Sequence, residues 1–148
     1  MPHFTLMFSA GAPVIDAVVY VSPERIVALH AANKPVPNPI QIRALIDTGA
    51  SCTCVDPSVM KDLEIEARGK AAVHTPSTKG KAPHEANQFD VVVVIPVSPG
   101  SPPLISGTIP VIEAELEHQG YKALIGRDIL SKCLLYFDGK GKFFTLGF

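Results

Sequence analysis

Residues able to do chemistry gather in two short segments. The first is Ala44-Leu45-Ile46-Asp47-Thr48-Gly49-Ala50-Ser51, where an apolar run ends at a carboxylate and turn-forming residues follow. Gly49 has no Cβ, so the backbone there can come close to whatever Asp47 faces. A carboxylate at the open end of a strand can take or give a proton in a reaction. Taken alone, the segment also reads as an ordinary structural turn, since Asp, Thr and Gly favour turns by their own chemistry. The second segment is Ala123-Leu124-Ile125-Gly126-Arg127-Asp128-Ile129-Leu130. There another apolar run ends at a glycine, and a short amphipathic stretch follows.

Other chemical readings are weaker. Cys52-Thr53-Cys54 offers half of a metal site. Zinc asks for four ligands at recognisable spacings, and Cys133 with one of five scattered histidines would have to complete the set. Small buried hydrophobes are the better reading of these cysteines. A nucleophile pair of Cys52 or Cys54 with His74 has no local motif behind it. His74 and His84 read as solvated residues of a hairpin. Gly139-Lys140-Gly141-Lys142 lacks the spacing of a phosphate loop. Gly49-Ala50-Ser51-Cys52-Thr53 fails the G-x-S-x-G elbow at its last position.

The elements that position the two segments are short. Fourteen prolines and eleven glycines break up runs rich in Val, Ile and Phe, the pattern of a mostly β domain. His3 to Phe8 reads as extended and Pro13 to Val21 as a strand. Ser22 caps a helix opened by Pro23 and carried through Ile26 to Ala32. Asn33 to Pro39, with three prolines, is a surface connector. Ile40 to Ile46 is the strand that delivers Asp47. Cys52 to Val55 is extended, and Pro57 to Leu63 is a helix capped by Asp56. Ala71 to His74 and Lys81 to Val97 form a hairpin about the turn Thr75-Pro76-Ser77-Thr78-Lys79-Gly80. Ser98 to Pro103 is a loop. Leu104 to Leu116 and Tyr121 to Ile125 are strands, and Arg127 to Cys133 is a short helix. Leu134 to Phe137 and Lys142 to Leu146 close the chain as a second hairpin.

The two chemical segments, in this order and at this separation, resemble the retropepsin family of aspartic proteases. In that family an apolar-apolar-Asp-Thr/Ser-Gly-Ala loop carries the catalytic carboxylate, and an apolar-Gly-Arg-Asn/Asp-apolar-Leu segment packs beneath it. The resemblance covers roughly Ile40 to Leu146. It implies a mostly β, closed, acid-protease barrel with one or two short helices and a flap hairpin, filling residues 1–148 as a single domain. It implies Asp47 as the catalytic residue, with Thr48, Gly49 and Ala50 forming its loop. Gly126, Arg127 and Asp128 would support that loop, and Thr75 to Gly80 would form the flap tip. The position four residues after Asp47, often acidic in retroviral members, is Ser51, which leaves Asp56 as a candidate partner for Arg127. The flap tip lacks the glycines of viral enzymes.

The implied chemistry follows from charge repulsion. Two carboxylates about 3 Å apart repel by roughly 5 kcal/mol at an effective dielectric near 20, so they do not both ionise. One stays protonated while the other acts as base on a water, as aspartic proteases illustrate. The water attacks the peptide carbonyl and the protonated partner stabilises the oxyanion. No metal or cofactor is called for. The chain carries one Asp-Thr-Gly, so the resemblance implies a homodimer with Asp47 contributed by each copy and a peptide or protein as substrate. The rival reading is a silent copy of the fold, used for dimerisation or peptide binding.

Composition agrees and sets bounds. The chain has 148 residues, 47% hydrophobic and only 18% charged, enough apolar content for a real core. Thirteen basic against fourteen acidic residues give a charge of -1, with no electrostatic footprint for nucleic acid. The longest apolar run, Val91 to Ile95, is too short to span a bilayer. The start lacks the basic opening of a secretory signal. Three cysteines cannot all pair with one another, which points to a reducing, cytoplasmic setting.

Overall fold

The computed structural model describes residues 1–75 and 80–148. Its strands are β1 (His3–Met7), β2 (Val14–Val21), β3 (Ile40–Ile46), β4 (Cys54–Val55), β5 (Gly69–Val73), β6 (His84–Ile95), β7 (Leu104–Glu113), β8 (Ala123–Ile125), β9 (Leu134–Asp138) and β10 (Phe143–Gly147). The helices are α1 (Pro23–Ala31), α2 (Pro57–Asp62) and α3 (Arg127–Leu130), and a 3-10 turn lies at Glu117–Gln119. None of these helices is long and apolar enough to cross a membrane.

Six strands close a ring. β2, β3, β8, β4, β7 and β6 pair in that order, and β6 pairs back to β2 through Val18 opposite Val94 and Val21 opposite Val91. Closure leaves no free edge in the ring. Along β2 the side chains alternate, with Ile15, Ala17, Val19 and Val21 buried and Asp16 exposed. Phe89, Val91, Val93 and Ile95 of β6 line the same interior, as do Ile42, Ala44 and Ile46 of β3. This is the period of two that a strand with one buried face requires. Val59, Met60 and Leu63 of the α2 segment, together with Ile129 and Leu130 of α3, join the same cluster.

Outside the ring, β1, β10 and β9 form a three-stranded antiparallel sheet with β10 in the middle. Phe144 and Leu146 of β10 point into the core and are fully buried. The Phe8 ring packs against Phe144 and against Phe137, its centroid 4.8 Å from that of Phe137. The opening residues are thus paired to the closing ones, from His3 opposite Gly147 to Met7 opposite Phe143. β5 pairs with the first residues of β6, outside the ring, from Gly69 opposite Gln88 to Val73 opposite His84.

Most sequence expectations differ from the structure only at element ends. β6 starts at His84 and stops at Ile95, β7 stops at Glu113, and α3 stops at Leu130. Among the described residues there are three short helices, where the family likeness implied one or two. The extra one is α1, held by the cap expected of it: Ser22 Oγ accepts from the Arg25 N–H at 3.2 Å and Pro23 opens the first turn. Of the expected flap tip, Thr75 and Gly80 are described; Pro76, Ser77, Thr78 and Lys79 lie outside the described residues.

Candidate active site

The pairing of β3 with β8 brings the two chemical segments together. These strands are parallel and in register, Ala44 beside Ala123, Leu45 beside Leu124 and Ile46 beside Ile125. Asp47 and Gly126 therefore leave the sheet side by side. The Asp47 N–H donates to the Ile125 carbonyl at 3.0 Å, and the Arg127 N–H donates to the Ala50 carbonyl at 3.0 Å. Asp47 is half-buried while Thr48 and Gly49 are exposed.

The loop orients its own carboxylate. Asp47 Oδ1 accepts from the Gly49 N–H at 2.9 Å, and the Asp47 carbonyl accepts from the Ala50 N–H at 3.2 Å. Among the described residues, Asp47 Oδ2 has no protein partner and remains available to a water or substrate. A Cβ on Gly49 would lie 3.1 Å from Asp47 Oδ1, tight against the group it orients.

Beneath the loop sits a clamp. Asp128 Oδ2 accepts from the Thr53 N–H at 2.9 Å, and Oδ1 accepts from the Thr53 hydroxyl at 2.8 Å. The same hydroxyl accepts from the Gly126 N–H at 3.2 Å. Thr53 is fully buried, so these bonds are sheltered from water. Asp128 is thus spent on the scaffold and is no second acid. Gly126 cannot be larger: a Cβ there would lie 2.4 Å from the Cys52 carbonyl carbon and 2.8 Å from the Thr53 nitrogen. Sequence reasoning did not single out Thr53. Its one signal was a hydroxyl residue inside an otherwise extended, apolar stretch, which must find a partner when buried.

Arg127 corrects an expectation. Its Nη1 donates to the Thr48 carbonyl at 2.8 Å. Asp56, the partner suggested by sequence, is occupied elsewhere. Its Oδ1 accepts from the Ser58 N–H at 3.0 Å, and its Oδ2 accepts from the Leu116 and Glu117 N–H groups at 2.8 and 3.0 Å. Burial pushes the Asp56 carboxyl up, but these backbone donors outweigh it and hold the group at about 2. Arg127 needs no acidic partner because a backbone carbonyl at the loop itself is within reach.

The cysteines are half-buried rather than buried, and all three are free thiols. Desolvation by burial, then the neighbouring charges of Cys52, Asp128 and Asp47, push the Cys54 thiol up to about 12. Burial and the Asp128 charge raise Cys52, and burial raises Cys133. A thiol so disfavoured as thiolate is a poor nucleophile at neutral pH. Among the described residues, no group of three or more His, Cys, Asp or Glu is arranged to hold a metal ion.

Comparison with known proteins joins this geometry to a family. Residues 36–127 match the model of a family described as aspartyl protease. A retropepsin-like aspartic protease from Rickettsia conorii has a similar crystal structure, at 15% sequence identity and a TM-score of 0.59; the match covers 99% of this chain and 90% of that one. No curated protein sequence matches the chain. The family match spans well over half of the chain, from the connector before β3 to Arg127. The chain belongs to the aspartyl protease family, and its closed barrel is retropepsin-like.

Proposed function

We propose that this protein is an aspartic endopeptidase acting as a homodimer, with Asp47 from each copy forming the catalytic pair. The observation that carries the proposal is the Asp47 loop. A half-buried carboxylate is oriented through one oxygen by its own backbone, its other oxygen is open, and the loop is braced by Arg127 and by the Thr53–Asp128 clamp. A peptide-binding module would have no use for an uncapped carboxylate set on so rigid a floor.

In this reading one Asp47 accepts a proton from a water while the protonated partner donates to the peptide carbonyl oxygen. The water attacks the carbonyl carbon, and the amide breaks as its nitrogen takes a proton. Thr48, exposed beside Asp47, meets its counterpart across the two-fold axis. The β5–β6 hairpin, paired outside the ring, closes over the substrate as a flap. The free thiols support a reducing, cytoplasmic setting. Incubation with a diverse peptide mixture across pH, with products identified by mass spectrometry, tests the reading. Discrete internal cleavages that vanish in Asp47→Asn support it. A dimeric wild-type protein that cleaves nothing at any pH leaves a silent copy of the fold.

A further inference from the structure

A cavity of about 670 Å³ lies between the β5–β6 hairpin and the end of β7, with Cys54 of β4 in its wall. Cys54, Val73, Ala86 and Ile112 give it apolar walls. Cys54 connects it to the chemistry, because it follows Thr53, which the clamp beneath the Asp47 loop holds, and pairs with Leu124 of β8. Four charged side chains reach the cavity from its two sides: Lys70 and Glu85 from the hairpin, Glu113 and Glu115 from β7 and the residues after it.

These charges do not cancel. Lys70 Nζ lies 3.7 Å from Glu85 Oε2, so the hairpin side is neutral by itself. Glu113 Oε2 accepts from Asn87 Nδ2 at 2.9 Å, a bond that orients the carboxylate but brings no charge. Among the described residues, neither Glu113 nor Glu115 is paired with a cation. An apolar wall below two uncompensated carboxylates suits one kind of side chain. It must have an aliphatic stem to lie against the wall and a cationic head to meet the carboxylates. An acidic or phosphorylated side chain meets like charge there and is rejected.

We propose that this cavity binds a lysine or arginine side chain of the substrate peptide, with Glu113 and Glu115 setting the preference. The inference rests on the peptidase reading but is tested apart from it. Octapeptide mixtures, each fixed as Lys, Arg, norleucine or Glu at one position and random elsewhere, are titrated against Asp47→Asn protein, which binds without turnover. At one position the Lys and Arg mixtures should bind about fivefold tighter than norleucine, the scale of a partly exposed ion pair, and the Glu mixture most weakly. The preference should shrink as salt is raised. It should disappear in a Glu113→Gln/Glu115→Gln double variant whose circular dichroism and melting temperature show it to be folded. Equal binding of Lys and norleucine at every position overturns the proposal, as does a preference that survives in the double variant. Cleavage of the same mixtures by wild type is scored separately. Selective binding with no cleavage sinks the peptidase reading and leaves the cavity's preference standing. Cleavage with no basic preference sinks the cavity's preference and leaves the peptidase.

Discussion

Asp47→Asn keeps the shape of the side chain and its hydrogen bond from Gly49, but removes the group that exchanges protons. Cleavage should fall by about three orders of magnitude or more, with the dimer and the fold retained. Wild-type cleavage should be fastest in acid, where a pair of carboxylates shares one proton, and should decline as the pH rises and both ionise. An Asn variant that cleaves at the wild-type rate removes Asp47 from the mechanism. Gly126 is a sharper structural test. The nearest neighbours of an added Cβ are backbone atoms of Cys52 and Thr53, which cannot rotate away. Gly126→Ala should cost about 3 kcal/mol or more in urea denaturation and should cut activity with it. At this scale the sequence was readable where a residue type is dictated by its own chemistry. Asp47, Gly49 and Gly126 stood out because a carboxylate at the open end of a strand, a close backbone approach and a crowded turn each admit few alternatives. The partner of Arg127 was not visible. An arginine satisfied by a backbone carbonyl leaves no mark on any other residue type.

Asp56 matters at the scale of elements because it ties two of them together. One oxygen caps α2, and the other holds the Leu116 and Glu117 N–H groups at the turn that follows β7. The folded carboxyl sits at about 2, below its ordinary value. Its stabilising contribution is therefore fully present above the ordinary carboxylate range and is lost as pH falls toward 2. The difference corresponds to about 2 kcal/mol. Denaturation midpoints followed from pH 5 to pH 2 should fall more steeply for wild type than for Asp56→Asn. Near neutrality the variant should be less stable by about 2 kcal/mol, since an amide offers one acceptor to three donors. Parallel curves would place the acid sensitivity elsewhere. The cap itself was legible, because Asp followed by Pro announces the start of a helix. Its second attachment was not, because Leu116 and Glu117 are distant in the chain and contribute only backbone.

For the whole molecule, the one-lobe architecture makes assembly the decisive property. In the mechanism proposed above, one Asp-Thr-Gly loop per chain completes a catalytic pair only across a two-fold axis. Sedimentation at micromolar concentration should show a species near twice 15.8 kDa. Its interface should bury more than about 1,000 Å² in total. A strict monomer that still cleaves peptides would overturn the shared-pair mechanism. The terminal sheet bears on this. β1 is already paired to β10 within the same chain, and Met7, Leu134 and Tyr136 remain exposed on it.

The chain's own pattern of residues determined which groups could do chemistry and which stretches had to be strands. Those properties are local: a strand with one buried face shows a period of two, proline and glycine mark its ends, and Asp-Thr-Gly can be recognised wherever it folds. Only the tertiary structure decided that β3 and β8 lie parallel and in register, so that Asp47 and Gly126 emerge together. It alone decided that Thr53 clamps Asp128, that Asp56 bridges α2 to the turn after β7, and that Glu113 and Glu115 face a cavity under the hairpin. Each of these is a contact between residues far apart in sequence. Such contacts follow from closing the ring and filling its interior at crystal-like density, and these conditions act on the whole chain at once.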